Sequence, residues 1–151
     1  MPLPRAQLSL KGRALCLLGN REHSRAELQR KLAPHEQEPG QLQRVLDELQ
    51  AKGFIDEQRV VDSVLHRRAP RLGAGRIRQE LQGKGVPAPL VMEAVSALRA
   101  TELQRAREVW RRRFGQVPAD AKERARQARF LAARGFSGDV IRRVLKTPDD
   151  E

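Results

Sequence analysis

Apolar residues recur along this chain three and four positions apart, and this spacing continues from about residue 9 to residue 146. Alternating segments are nearly absent, so the pattern predicts helices and no strands. The first helix spans about Ser9 to Leu18, with Leu10, Ala14, Leu17 and Leu18 inward, and ends at Gly19-Asn20. A second starts at Ser24, where Ser24-Arg25-Ala26-Glu27 spells a capping box. In that motif serine and glutamate each satisfy a backbone N–H that the helix leaves free. Leu28 and Leu32 follow inward, and Pro34 stops the run. After a polar loop over 33–40, a third helix carries Leu42, Val45, Leu46 and Leu49, with Gly53 placed for a left-handed C-cap.

Asp56 is set to cap a fourth helix with Val60, Val61, Val64 and Leu65 inward. Ala69-Pro70-Arg71-Leu72-Gly73 breaks it. A fifth helix holds Ile77 and Leu81, and a sixth opens at Pro87 and Pro89 and buries Val91, Val95 and Leu98. Thr101-Glu102-Leu103-Gln104 reads as a second capping box. The seventh helix behind it carries Leu103, Ala106, Val109 and Trp110 and ends near Phe114-Gly115. Ala121 to Ala132 form the eighth, and Ser137 caps the ninth, with Val140, Ile141, Val144 and Leu145. Asp149-Asp150-Glu151 predicts a disordered acidic tail.

The nine helices group by threes. Leu81 pairs with Leu131, Gly85 with Gly135, Val91 with Ile141 and Val95 with Leu145, always 50 residues apart. In the first group, Leu28 and Leu32 take the places of Ile77 and Leu81, and a longer loop is expected before Val45. Such a period marks an array whose units each bury too little alone and therefore stack. The expected fold is all-α: an elongated array of three tandem three-helix units. Its segments are a flexible start at 1–8, units at 9–55, 56–100 and 101–146, and the acidic tail at 147–151.

Composition adds polarity and charge. Hydrophobic residues make up 39% of the 151 and charged residues 32%, which suits thin cores in small units. The net charge of +11 rises along the chain: +2 over 1–56, +4 over 57–100, +8 over 101–146 and −3 over the last five. Most of it is arginine, whose planar guanidinium pairs bidentately with phosphates and carboxylates, so a polyanion or an acidic protein surface is the expected partner. The lone cysteine, Cys16, sits in the apolar run Ala14-Leu15-Cys16-Leu17-Leu18 and reads as a small buried hydrophobe. No stretch has the length and apolarity to span a bilayer, and no signal peptide is visible, so the cytoplasm is the expected compartment.

Catalysis finds little support. His23, His35 and His66 have no metal-ligand spacing with one another or with Cys16. Gly73-Ala74-Gly75 lacks the Lys-Ser/Thr of a phosphate loop. Asp47-Glu48 and Asp56-Glu57 lie at helix ends, where capping and the helix dipole account for them. The expectation is a binding protein, neither an enzyme nor dependent on a cofactor or metal.

Several blocks resemble the RecX regulatory family. They are Ala14-Leu15, Ser24-Arg25-Ala26-Glu27-Leu28, Gly53-Phe54-Ile55-Asp56-Glu57, Gly75-Arg76-Ile77-Arg78-Gln79-Glu80-Leu81 with Lys84-Gly85-Val86, and Arg126 through Leu131 with Arg134-Gly135-Phe136 and Val140 to Leu145. Order and spacing together carry the likeness, which covers roughly residues 9–146. Val60-Val61 stands where members usually have an aromatic residue and Ala, which predicts looser packing in the fourth helix. The resemblance implies a modulator of RecA, the strand-exchange ATPase that forms filaments on single-stranded DNA. It implies an array lodged in the filament groove that inhibits ATPase, recombinase and coprotease activities, with weaker DNA binding.

Arginines are the candidate contacts to RecA or to DNA phosphates: Arg67, Arg68, Arg71, Arg76, Arg78, Arg111, Arg112, Arg113, Arg124, Arg126 and Arg129. Any single one reads equally as a solvated side chain or a weak surface pair. Trp110 reads as a core anchor, and aromatics at 3% argue against a base-stacking platform. Charge should therefore dominate DNA affinity, which would fall steeply with salt. The array predicts a monomer. The competing reading is a helix-turn-helix-like DNA-binding protein acting without RecA.

Overall fold

A computed structural model describes residues 8–146, and within them the chain is helical with no strand. In chain order the helices are α1 (Leu10–Asn20), α2 (Arg25–Leu32), α3 (Gln41–Ala51), α4 (Glu57–Arg68), α5 (Ala74–Gly83), α6 (Ala88–Ala100), α7 (Glu102–Arg113), α8 (Ala121–Ala133) and α9 (Gly138–Val144). A short 3-10 turn over Ala33–His35 continues α2. Of the expected tails at 1–8 and 147–151, residues 1–7 and 147–151 lie outside the described residues.

Local chemistry explains most boundaries. Ser9, Ser24, Asp56, Asp120 and Ser137 each accept a backbone N–H in the first turn of the helix that follows, and Ser24 with Glu27 forms the full capping box. Gly53, Gly85, Gly115 and Gly135 close their helices at positive φ. Thr101 departs from expectation. Its backbone is not extended and its hydroxyl donates back to the Leu98 carbonyl, so no second capping box forms.

Three separate clusters of buried side chains form, each drawn from three consecutive helices. Leu28, Leu42, Leu46 and Leu49 centre the first, Val61, Ile77, Leu81 and Val91 the second, and Ala106, Leu131, Ile141 and Leu145 the third. These are the tandem three-helix units. Val60 and Val61 are both buried, so α4 is as tightly seated as its neighbours and the looser packing predicted there is not observed. Cys16 is exposed, which corrects the expectation of a buried thiol. Two residues along a helix turn a side chain by roughly 200°, and Ala14 already faces the core. The segment between the second and third helices of the first unit is longer than its counterparts, as expected: residues 33–40 against 84–87 and 134–137, although Leu32 to Leu42 and Leu81 to Val91 span the same ten residues.

Candidate partner interface

The same joint is built twice between units. In the first, the start of α2 meets the turn between α5 and α6. The Ser24 hydroxyl donates to the Lys84 carbonyl, Arg30 reaches the Gly83 carbonyl at 2.9 Å, and the Arg25 N–H donates to Glu57 at 2.9 Å. In the second, the start of α5 meets the turn between α8 and α9. The N–H groups of Gly73 and Gly75 donate to the carbonyls of Arg134 (2.8 Å) and Gly135 (3.2 Å), Arg76 donates to the Ala133 carbonyl at 2.8 Å, and the Ala74 N–H donates to Glu102 at 3.1 Å. Glu57 and Glu102 each open a helix of the following unit and cap a helix of the preceding one.

Only glycine permits the second joint. A Cβ on Gly73 would lie 2.4 Å from the Gly135 backbone, and one on Gly135 would lie 2.5 Å from Arg76. Arg105 adds a lock. Its guanidinium donates to the carbonyls of Ala69, Leu72 and Leu98 and to the Thr101 hydroxyl, at 2.6 to 3.1 Å. Burial pulls its pKa down, against the opposing charge of Glu102.

The first joint is as close, a Cβ on Gly85 lying 2.4 Å from that of Ala26, and it holds a buried charge. Glu27, nearly buried, pairs with Arg21 at 2.6 Å and faces Lys84 at 3.8 Å. Burial pushes its carboxyl up, but hydrogen bonds from Arg21 and the Ser24 N–H, with the Lys84 and Arg21 charges, hold it at about 2. His23 lies beside them with Nδ1 3.0 Å from the Arg21 carbonyl and Nε2 3.0 Å from Lys31 Nζ. Burial and the charges of Arg21 and Lys31 lower its pKa, the carbonyl and Glu27 acting against them. This pairing belongs to the neutral ring, which donates to the carbonyl and accepts from the lysine. Burial raises Glu57, with Glu27 and Asp56 acting in the same direction, while the Arg25 N–H and charge oppose it.

Held by these joints, the second and third units share a continuous furrow. A groove of about 660 Å³ along α5 and α6 is lined by Arg78, Met92, Val95 and Arg99. Arg78, Val95 and Arg99 also line a cleft of about 620 Å³ between the units, which reaches Asp139 and Arg143 on α9. Asp139 and Arg143 in turn border a hollow of about 540 Å³ with Arg124, Arg142 and Lys146. Six cations thus line one path. Two carboxylates share the path: Glu102, which is buried, and Asp139, which pairs with Arg142 at 3.3 Å.

The arginines singled out from sequence divide into groups. Arg78 and Arg124 lie on the furrow, although Arg124 also donates to the Leu145 carbonyl. Arg71, Arg112 and Arg113 gather with Arg134 at a separate cleft of about 220 Å³ floored by Val109 and Phe130. There Phe114 and Phe130 meet edge to face at 5.3 Å, with Arg113, Arg126 and Arg134 over their rings. Arg76 serves the joint, Arg67 bonds back to the Ser63 carbonyl, and Arg68 and Arg111 pair with Glu80 and Glu108. Arg129 stands exposed on α8. Trp110 is half-buried and donates to Gln127, as a core anchor would. Sequence reasoning missed Arg99, Arg142, Arg143, Lys146 and Arg134. Arg99 follows the buried Val95 by one helical turn, a signal for a cation at the rim of an apolar face.

No helix among the described residues is long and apolar enough to cross a membrane, and no cluster of metal-ligating side chains occurs among them. Residues 100–145 match a family profile described as RecX, third three-helix domain. Regulatory protein RecX of Leptothrix cholodnii is 65% identical over 97% of this chain and 94% of its own length. Regulatory protein RecX of Ralstonia nicotianae is 48% identical over 99% and 94%. The crystal structure of RecX from Lactobacillus salivarius shares the fold with a TM-score of 0.77 at 16% identity, covering 90% of this chain and 92% of that one. With two relatives this similar over nearly their whole length, the chain belongs to the RecX family of regulatory proteins.

Proposed function

We propose that this protein regulates RecA by binding it, or its filament on single-stranded DNA, through the furrow of the second and third units. The observation that carries this reading is the continuity of the furrow. Cations from α5, α6, α8 and α9 line one path across two units, as an extended acidic partner requires. The protein acts as a monomer in the cytoplasm, with unit boundaries at residues 56 and 101. Occupying RecA in this way inhibits its ATPase, strand-exchange and coprotease activities and so modulates DNA repair and recombination. No catalytic step is assigned to the chain. The cleft of Arg71, Arg112, Arg113 and Arg134 supports weaker, salt-sensitive contact with DNA phosphates.

The test is ATP hydrolysis by RecA on single-stranded DNA with increasing amounts of the purified protein. Hydrolysis should slow at or below equimolar ratio. An unchanged rate at a several-fold excess would overturn the proposal.

A further inference from the structure

The groove of the second unit differs in kind from the same surface of its neighbours. Arg78, Met92 and Arg99 line it, and each has a counterpart 49 residues earlier in the first unit: Gln29, Gln43 and Gln50. The register is that of the buried pairs Leu28 and Ile77, Leu42 and Val91, and Leu49 and Leu98. In the first unit the amides are mutually satisfied. Gln43 donates to Gln29 at 2.9 Å, and Arg25 donates to both Gln43 and Gln50 at 2.8 Å. In the third unit the counterparts of Arg78 and Met92, 50 residues later, are Ala128 and Arg142. The three-helix fold therefore does not require an apolar side chain at this position. Met92 is nevertheless 71% exposed, more than any other large hydrophobic among the described residues.

Its surroundings state the chemistry of a partner. Val86, Val91 and Val95 supply an apolar floor, Arg78 and Arg99 are the charged lining residues, and no carboxylate lines the groove. Methionine is unbranched and polarisable and shapes itself to an incoming side chain. A buried apolar anchor with charged pairs around it is the usual construction of a strong protein contact. A nucleic-acid backbone offers nothing for Met92 to cover.

Resting on the reading of the chain as a RecA-binding regulator, we infer that this groove takes a segment of the protein partner that presents an apolar side chain flanked by carboxylates. Met92 packs on the apolar side chain and Arg78 and Arg99 hold the acids, which makes Met92 a specificity residue for the protein partner rather than for DNA.

The test compares the full chain with its Met92→Glu and Met92→Leu variants in three measurements. These are inhibition of RecA ATP hydrolysis, anisotropy of a labelled single-stranded oligonucleotide without RecA, and sedimentation of the protein alone. Met92→Glu should need about tenfold more protein or greater for half inhibition, and Met92→Leu should stay close to the parent. Oligonucleotide affinity and sedimentation should be unchanged for both. If the parent inhibits and Met92→Glu inhibits equally, the groove assignment is wrong while the regulatory reading stands. Loss of oligonucleotide affinity in Met92→Glu would make nucleic acid the occupant, and dissociation of a parent dimer would make it a second copy. Either result overturns the inference. A parent without effect on RecA overturns both. Unaltered circular dichroism of Met92→Glu confirms that it folds, as expected for so exposed a position.

Discussion

Replacing Gly73 by alanine isolates the contact that binds the second unit to the third. The backbone there, φ −81° and ψ 168°, is one alanine adopts without strain, so conformation is not the obstacle. The obstacle is space. The new methyl would sit 2.4 Å from the carbonyl carbon and oxygen of Gly135 and 2.5 Å from the Phe136 nitrogen, against an ordinary contact of 3.4 Å or more. All three are backbone atoms, so the units must part by about 1 Å, the difference between those distances. That stretches the 2.8 Å bond from Gly73 to Arg134 and the 3.2 Å bond from Gly75 to Gly135 past useful range. Two lost hydrogen bonds cost about 1 kcal/mol each, and overpacking adds about 1–3 kcal/mol. The expected loss is therefore about 3–5 kcal/mol.

Because stability in a repeat array is a sum of unit and interface contributions, the loss falls on the interface. Urea unfolding followed by the single tryptophan, Trp110 in the third unit, should separate from unfolding followed by circular dichroism. In the parent the two should coincide. Gly83→Ala is the control. It ends α5 with no atom within 4 Å of the new methyl, and should stabilise by about 0.5 kcal/mol. A Gly73→Ala protein with the parent's midpoint and coincident transitions would refute the reasoning.

Arg105→Met should destabilise by about 3 kcal/mol in the same urea titration, because it orphans the carbonyls of Ala69 and Leu72, while Leu98 keeps the Thr101 donors. Acid should weaken the first joint in two stages. His23 is held below 6.5, so the unfolded chain binds its proton first, and stability present at pH 7 declines as pH falls through 6.5. Glu27, at about 2 against 4.5 unfolded, adds a loss as pH falls from 4.5 toward 2. Glu57 works in the opposite sense, since its raised pKa favours the folded state on protonation. His23→Asn should therefore flatten the dependence of the urea midpoint on pH between 7 and 5, and an unchanged slope would contradict this. Arg112→Ala and Arg134→Ala should each lower the salt slope of oligonucleotide binding by about 1, as read from anisotropy between low and moderate salt.

Local structure was legible where a short segment decides it. Ser24-Arg25-Ala26-Glu27 specified its own helix start, and Gly53 marked a left-handed closure, because each depends on a few neighbouring residues. Thr101 misled because α6 runs almost directly into α7, which leaves its backbone short of the extended cap conformation and its hydroxyl bonded to the Leu98 carbonyl and to Arg105. Cys16 misled because an apolar run longer than a helix face is wide must turn some of its members outward. The furrow was legible only in part. Arg78 and Arg124 stood out, but Arg99, Arg142, Arg143 and Lys146 join them only through folding of α5, α6, α8 and α9. The rise of charge along the chain indicated the units that carry the furrow without indicating its face.

The furrow as the RecA-binding surface is tested most directly by placing a photo-crosslinking amino acid at Ser96, which lines it, and at Val117, an exposed site outside it. On illumination with RecA filaments, a strong cross-link to RecA from position 96 and little from position 117 is the predicted result. Equal yields from the two positions, or a cross-link from position 117 alone, would contradict the account.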